Sequence, residues 1–303
     1  MTDLVTVVIP TYNRPTFVLR AIRSALNQTY AAVEIVVVSD GPDAATAAAV
    51  RSLSSPNVLF VELPQKEGAA AARNFGINKA RGRWIALLDD DDEWMPSKVE
   101  EQMQVAVQHA VHVPIVACQA FVNRGISQVV WPTRPPREGE DLGEYIFCRS
   151  GIRQGAGLVT TSMLLASKEL FLQIPFDPSV KRHQDTDWIL RATTTGKGRL
   201  LWIWKPLLLF NLEVGRPSIS RSMTAAPSLQ WAKGNPLLTK KAYGYFLATQ
   251  VAPRIRLRGN VRLTLSVVHD FLTKSFVSLR TIFMFLAFLF TSPRVRYWLL
   301  KKV

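Results

Sequence analysis

The chain has 303 residues, 48% of them apolar and 20% charged, which suits a folded domain with an appendage and excludes a disordered polypeptide. Its net charge of +14 is confined: residues 1–215 hold 22 Lys and Arg against 22 Asp and Glu, whereas residues 216–303 hold 15 basic residues and one acid, Asp270. The two cysteines, Cys118 and Cys148, fit no zinc spacing and form no disulfide framework, and MTDLVTVVIP lacks the basic start of a secretory leader, so a cytoplasmic protein is expected.

In chain order, VTVVIP (5–10) is a β-branched run closed by Pro10 and reads as a buried strand. Residues 15–28 carry apolar side chains at helical spacing. EIVVVSD (34–40) is a second buried strand, broken by Gly41-Pro42, with a helix following to about Leu53. VLFVEL (58–63) gives a third strand, Ala69 to Ala80 a helix stopped by Gly82, and WIALLD (84–89) a fourth strand. Pro96-Ser97 opens a helix to about Val111, and PIVACQAFV (114–122) is a fifth strand. Residues 131–157 are rich in Pro, Gly and charge and read as an irregular, mobile connection. TTSMLLA (160–166) returns to strand character, and LLWIWKPLLLF (200–210) reads as a strand pair interrupted by Pro206.

This alternation predicts an α/β fold with a mostly parallel sheet covered by helices on both faces. Ligands of such sheets sit beyond the carboxyl ends of the strands. Thr11-Tyr12-Asn13 follows the first strand, Ser39-Asp40 the second, and Asp89-Asp90-Asp91-Asp92 the fourth. Four adjacent carboxylates repel one another and need a compensating cation or full hydration. Read as extended chain, Asp89 and Asp91 project to one side and Asp90 to the other, a pair of hard oxygen ligands suited to Mg²⁺ or Mn²⁺. A solvated acidic turn ahead of the next helix is the alternative.

VVIPTYNRP, ALNQTY, EIVVVSDGPDAAT, AAARNFGINKARGRWIALLDDDDEW and RHQDTDWILR, in this order, resemble the family-two glycosyltransferases, which have the GT-A fold. The resemblance covers about residues 4–220. It implies a nucleotide pocket lined by Pro10, Thr11, Tyr12 and Asn13, with Asp40 on the base and Arg73 on the nucleotide. A carboxylate accepts the uracil N3–H but offers no donor to cytosine N3, which favours a UDP-sugar. The family's DxD motif falls on Asp89-Asp90-Asp91. Asp91 is then the main ligand of a divalent metal (Mn²⁺ or Mg²⁺), with Asp89 and Asp90 nearer the ribose and Asp89 also near the metal.

The same resemblance makes Asp185 the general base, with Gln184 where the family often has Glu, and an inverting displacement follows. A base of ordinary carboxylate pKa is expected. Asp187 reads as the N-cap of the WILRA helix. His183, Arg216 and Arg221 are candidate phosphate or acceptor contacts, the last two on a lid or an ordinary linker (213–221).

Beyond the resemblance, the expected division is a catalytic domain over 1–221 and a basic amphipathic helical tail over 222–303. The tail mixes Arg and Lys with Leu, Val and Phe, then presents TIFMFLAFLF (281–290), too short to span a bilayer that needs about 20 apolar residues. The expectation is a peripheral protein on the inner face of the plasma membrane. Ile282, Phe283, Phe285, Leu286, Phe288 and Leu289 would then be buried in anionic lipid. A helical subdomain packed on the catalytic domain is the alternative, and nucleic acid is not an expected partner. The expected partners are a nucleotide-sugar donor, a saccharide or lipid-linked acceptor, and an anionic membrane surface, with envelope polysaccharide synthesis as the setting. A nucleotidyltransferase and a non-catalytic sugar-nucleotide-binding scaffold are the competing functions.

Overall fold

Val5–Thr11 is buried at every residue, because a β-branched run fills the centre of a sheet covered on both faces. In the computed structural model, which describes residues 2–123, 128–150, 155–211, 224–255 and 261–291, that run is β1. It is followed by α1 (Pro15–Leu26), β2 (Val33–Ser39), α2 (Ala44–Arg51), β3 (Val58–Glu62), α3 (Ala69–Lys79) and β4 (Trp84–Leu87). Next come β5 (Glu93–Trp94), α4 (Lys98–Gln108), β6 (Pro114–Asn123), β7 (Gln128–Trp131) and α5 (Leu142–Phe147), then β8 (Leu165–Ser167), α6 (Lys168–Gln173), α7 (Gln184–Thr194) and β9 (Arg199–Asn211). The sheet order is β3-β2-β1-β4-β8-β6-β9-β5, with β7 on β6. Strands β1 to β4 are parallel, as is the β6–β9 pair, while β5, β7 and β8 are antiparallel.

The chain divides into two compact units, the first comprising Met1–Pro132 with Val159–Arg216. Its carboxyl edge opens where β1, β2 and β4 end together. Gly76 lets α3 lie against that sheet: a Cβ there would stand 2.6 Å from Val8 Cγ1 and 2.9 Å from Val38 Cγ2. Two expectations change. TTSMLLA holds a 3₁₀ turn, Thr161–Met163, and only the short β8. The 200–210 pair is one strand: Cys118 faces Ile203 but Gln119 faces Pro206, so Trp204 and Lys205 are extruded as a bulge. A bulge tolerates Pro206 because a residue there need not donate to the ladder.

At the other end of the sheet, Glu34 ties three segments together. It accepts from Thr6 Oγ1 (2.5 Å), the Arg81 backbone N–H (2.6 Å) and Arg81 Nε (2.6 Å). Burial pushes its pKa up, but these donors outweigh burial and hold it below the ordinary value. Glu34→Gln should therefore cost about 1–3 kcal/mol. A depressed folded pKa gives stability above the unfolded pKa that is lost as pH falls through the folded one. Denaturant unfolding at neutral and acid pH checks this: the gap between wild type and variant should narrow in acid.

The second unit joins Thr133–Leu158 to Pro217–Val303. The stretch read as a mobile connection contributes α5 and the buried Tyr145 and Phe147. Beside α5 this unit holds α8 (Ala225–Ala232), α9 (Lys240–Phe246) running into a π turn, α10 (Val261–Lys274) and α11 (Leu279–Phe290). The Phe147 ring lies 6.2 Å from Trp231 and 5.0 Å from Phe246, and Phe271 stacks on Phe285 at 4.3 Å. Asp270 is buried and receives Lys274 Nζ at 2.8 Å and Tyr243 Oη at 3.3 Å. Of the six side chains assigned to lipid from the sequence, Phe285, Phe288 and Leu289 are buried inside this unit instead. No helix among the described residues is long and apolar enough to cross a membrane.

Candidate functional site

The carboxyl end of β1 meets that of β2 through the Asp40 N–H, which donates to Thr11 O at 2.9 Å. Asp40 Oδ1 accepts from the N–H groups of Glu67 (2.8 Å) and Gly68 (2.7 Å), so it pins the turn before α3. Its Oδ2 receives no hydrogen bond from the described residues. Gly41, at φ 116°, would bring a Cβ to 3.4 Å from the Tyr12 ring, and Lys66 Nζ stands 4.4 Å from that ring's centroid. Pro10 pairs with Val38. Asn13 has a φ of 54°, and its N–H donates to Asp43 Oδ2 at 2.6 Å. Pro10 to Asn13 and Asp40 thus share one edge, as the sequence led us to expect.

The aspartate run is not extended. The strand ends at Leu87, and the Asp92 N–H donates to Asp89 O at 3.1 Å, closing a turn. Alternation therefore does not sort these side chains; their partners do. Asp89 Oδ1 meets Arg73 Nη2 at 2.6 Å, and its Oδ2 accepts from Thr161 Oγ1 at 2.8 Å. Asp90 accepts from Thr11 Oγ1 (2.8 Å) and from Arg14 Nη1 (3.0 Å). Burial pushes Asp90 up to about 6; Arg14 opposes this and Asp91 adds to it. Asp92 is fully buried on Ser162 Oγ (2.6 Å) and is held well above the ordinary value by desolvation and then by Asp91 and Asp89. Asp91 keeps 28% of its side chain in solvent, with Arg14 Nη1 at 3.4 Å. Two arginines, Arg14 and Arg73, supply the compensating cations that four carboxylates need.

Arg73 also reaches the second motif. Its Nη1 donates to Gln184 Oε1 at 2.8 Å, and its guanidinium lies 5.6 Å from the Phe176 ring. Gln184 Nε2 in turn donates to Val180 O at 2.9 Å. A glutamate could accept from Arg73 but could not donate to that carbonyl, which accounts for glutamine here. The first turn of α7 is set from below by Trp188, whose Nε1 donates to Ile174 O at 2.6 Å while its ring stacks on Phe171 at 4.4 Å. Asp185 Oδ1 accepts from the Thr186 N–H at 2.7 Å. Burial raises Asp185 above the ordinary carboxylate value; the Thr186 N–H opposes this, Asp89 adds to it and Arg73 opposes it. This corrects the expectation of an ordinary pKa.

Asp187 is not the N-cap. The helix begins at Gln184, after His183 in the left-handed region at φ 66°, and Asp187 lies in the first turn with Oδ2 2.8 Å from Arg191 Nε. Asp187→Asn should cost at most about 1 kcal/mol, the scale of a partly exposed i,i+4 pair. Thermal unfolding with a turnover assay checks this; loss of turnover in a stable protein would exchange the roles of Asp185 and Asp187. His183 lies just ahead of α7, whereas Arg216 and Arg221 fall outside the described residues.

A model of the family described as Glycosyl transferase family 2 matches residues 6–158, half of the chain. The chain belongs to that family. Among its relatives, the amylovoran biosynthesis glycosyltransferase AmsB of Erwinia amylovora is 28% identical over 84% of this chain and 85% of its own. The Escherichia coli UDP-Glc:alpha-D-GlcNAc-diphosphoundecaprenol beta-1,3-glucosyltransferase WfaP is 33% identical over 33% of this chain and 40% of its own. Among solved structures, S. aureus TarS 1-349 in complex with UDP-GlcNAc matches with a TM-score of 0.63 at 16% identity, over 93% of this chain and 83% of that one. At such identity the likeness shows the fold, which is the GT-A arrangement expected from the motifs.

For this family-two chain, the acids can be tested as a metal site by their donors. Among the described residues no group of three or more His, Cys, Asp or Glu side chains could hold an ion. The protein offers instead the partly open Asp91 carboxylate beside Asp89, whose oxygens are already engaged by Arg73 and Thr161. That set fits a hard cation which takes one or two carboxylates and completes its shell from diphosphate and water. The sequence missed Arg14, Thr161 and Ser162; the Arg after TYN was the available signal for Arg14, and the hydroxyls gave none.

Proposed function

We propose that this chain is an inverting glycosyltransferase that moves a sugar from a UDP-linked donor to a lipid-linked saccharide at an anionic membrane surface, in envelope polysaccharide synthesis. The observation that carries the reading is the Arg73 guanidinium, bonded at once to Asp89 in the aspartate run and to Gln184 beside Asp185. One rigid side chain thereby ties the donor end of the site to the acceptor end. The names of WfaP and AmsB support a UDP-sugar, a diphosphate-lipid acceptor and a polysaccharide product.

In this reading the base of the nucleotide lies by Tyr12, with its N3–H donating to Asp40 Oδ2, the oxygen that pinning the turn leaves over. Pro10, Thr11, Asn13, Arg73, Asp89 and Asp90 line the rest of the nucleotide site. Asp185 accepts the proton of the acceptor hydroxyl as its oxygen bonds to the anomeric carbon. The bond from that carbon to the β-phosphate oxygen breaks in the same displacement, the electron pair leaves with UDP, and the configuration inverts. A raised pKa suits Asp185 to this step, since a base nearer neutral pH takes the proton more readily. Mn²⁺ or Mg²⁺, held by Asp91 with Asp89 beside it, would supply positive charge against the departing diphosphate. His183 is a candidate phosphate or acceptor contact, as are Arg216 and Arg221, which fall outside the described residues.

The test is transfer from a panel of UDP-sugars to synthetic polyprenyl-diphosphate saccharides, with the anomeric configuration of the product read by NMR. Transfer with inversion is expected. Retention, or turnover with a sugar phosphate and a nucleoside triphosphate instead, overturns the reading.

A further inference from the structure

The last two described helices each bury one face and leave a second apolar face in water. On α11 the inward residues are Thr281, Met284, Phe285, Phe288 and Leu289. Leu279, Phe283, Leu286 and Phe290 are 88%, 59%, 46% and 69% exposed. At 100° per residue those four fall within about 60° of arc, opposite the buried set. Helix α10 repeats the pattern: Val261, Leu265 and Leu272 are exposed, while Val267, Asp270 and Phe271 point inward. The Phe271–Phe285 stack joins the inner faces of the two helices.

An amphipathic helix explains one apolar face, and a continuous second stripe marks a surface meant to be covered. Charge says by what. Residues 216–303 hold 15 basic residues and one acid, and that acid, Asp270, is 2% exposed and neutralised within the unit. The surface beside the stripes carries Arg262 and Arg280 and, among the described residues of α10 and α11, no exposed acid. An apolar stripe whose charged neighbours are cations and not acids fits an anionic lipid interface. Twelve residues of helix make about 18 Å, well short of the 30 Å hydrocarbon core, so α11 fits lying in the interface and not crossing it.

We infer that the Leu279–Phe290 stripe, with that of α10, is the surface that enters an anionic bilayer, the helices lying flat with their inner faces still packed on the protein. This rests on the membrane reading proposed above and specifies which residues do the inserting. Capture then has two parts, a Coulombic one that salt screens and an apolar one that salt leaves intact.

The experiment compares the full chain with the double variant Phe283→Gln, Phe290→Gln in sedimentation with phosphatidylcholine vesicles, with and without phosphatidylglycerol, at low and high salt. Wild type should bind the anionic vesicles and resist release by salt. The variant should still be captured at low salt, but its partitioning at high salt should fall about tenfold for each phenylalanine lost. Its thermal midpoint should not move, because both side chains are exposed. Salt-resistant binding equal to wild type overturns the insertion surface while leaving charge-driven membrane binding standing. A wild-type chain that ignores every vesicle removes the membrane reading and this inference together. Conversion of a wild-type dimer to a monomer by the two substitutions, with vesicle binding unchanged, makes the stripe a contact between copies instead.

Discussion

Asp185→Asn should leave UDP binding intact and lower sugar transfer by on the order of 10² to 10⁴-fold, the share of a rate that a positioned base supplies. Asparagine is nearly isosteric and still accepts from the Thr186 N–H that orients Oδ1, so α7 and the Arg73–Gln184 bond persist. What disappears is the capacity to take a proton. Stability separates this outcome from misfolding. The folded-state pKa of Asp185 is raised, chiefly by burial, so at neutral pH its ionised form costs folding energy. For a raised carboxyl the stability contribution is greatest at low pH and diminishes as pH rises through the folded pKa. Asparagine cannot ionise, and the variant should be as stable as wild type or more so at neutral pH. The pH profile gives a second reading: the acid limb of wild-type kcat should lie above the ordinary aspartate range, and the variant's residual rate should lack it. A variant that transfers at the wild-type rate, or one that loses UDP binding along with transfer, would remove Asp185 from the role of base.

The strands were legible because β1, β2 and β4 are buried on both faces, and such strands read as unbroken apolar runs. The convergence of Thr11, Asp40 and the aspartate run followed from parallel topology alone. What sequence could not deliver were partners distant along the chain. Thr11 and Asp90 are 79 residues apart, Thr161 and Asp89 are 72, and Arg73 and Gln184 are 111. No local spacing encodes these contacts, yet they decide which partner each carboxylate meets. The WILRA helix was misread at its start for a related reason. An Asp directly before the first apolar helical position looks like a cap, but tertiary packing of Trp188 starts the helix earlier, at Gln184. Pro206 looked like a strand break because a bulge is a property of two paired strands and only one was in view. The 131–157 stretch looked like a connection because it is rich in Pro, Gly and charge, although Tyr145 and Phe147 are buried, Phe147 against Trp231 and Phe246 far along the chain.

Asp91→Asn should abolish the stabilisation that UDP with Mn²⁺ confers and should abolish turnover, while leaving the fold in place. A nucleotide held at 100 times its dissociation constant adds about 2.7 kcal/mol of stability, so the loss is readable as a missing thermal shift. The four aspartates differ in what they hold, and that difference makes the prediction specific. Asp89 neutralises Arg73, whose side chain is 8% exposed, and its replacement strands a buried guanidinium. A fully buried pair broken this way costs about 3–5 kcal/mol, and less is expected here because Asp89 itself keeps 28% of its side chain exposed. Asp89→Asn should thus lower stability and function together. Asp92→Asn should change the charge of the site less than the other replacements, since burial holds the Asp92 carboxyl well above its ordinary value. Asp91 keeps 28% of its side chain in solvent and stands 3.4 Å from Arg14 Nη1, so its loss should take the metal-dependent behaviour at a smaller cost to the unliganded protein than Asp89→Asn. Full turnover in the presence of a chelator would show that the reaction needs no metal. In that event Arg14, 3.0 Å from Asp90 and 3.4 Å from Asp91, becomes the described cation best placed to meet the departing diphosphate.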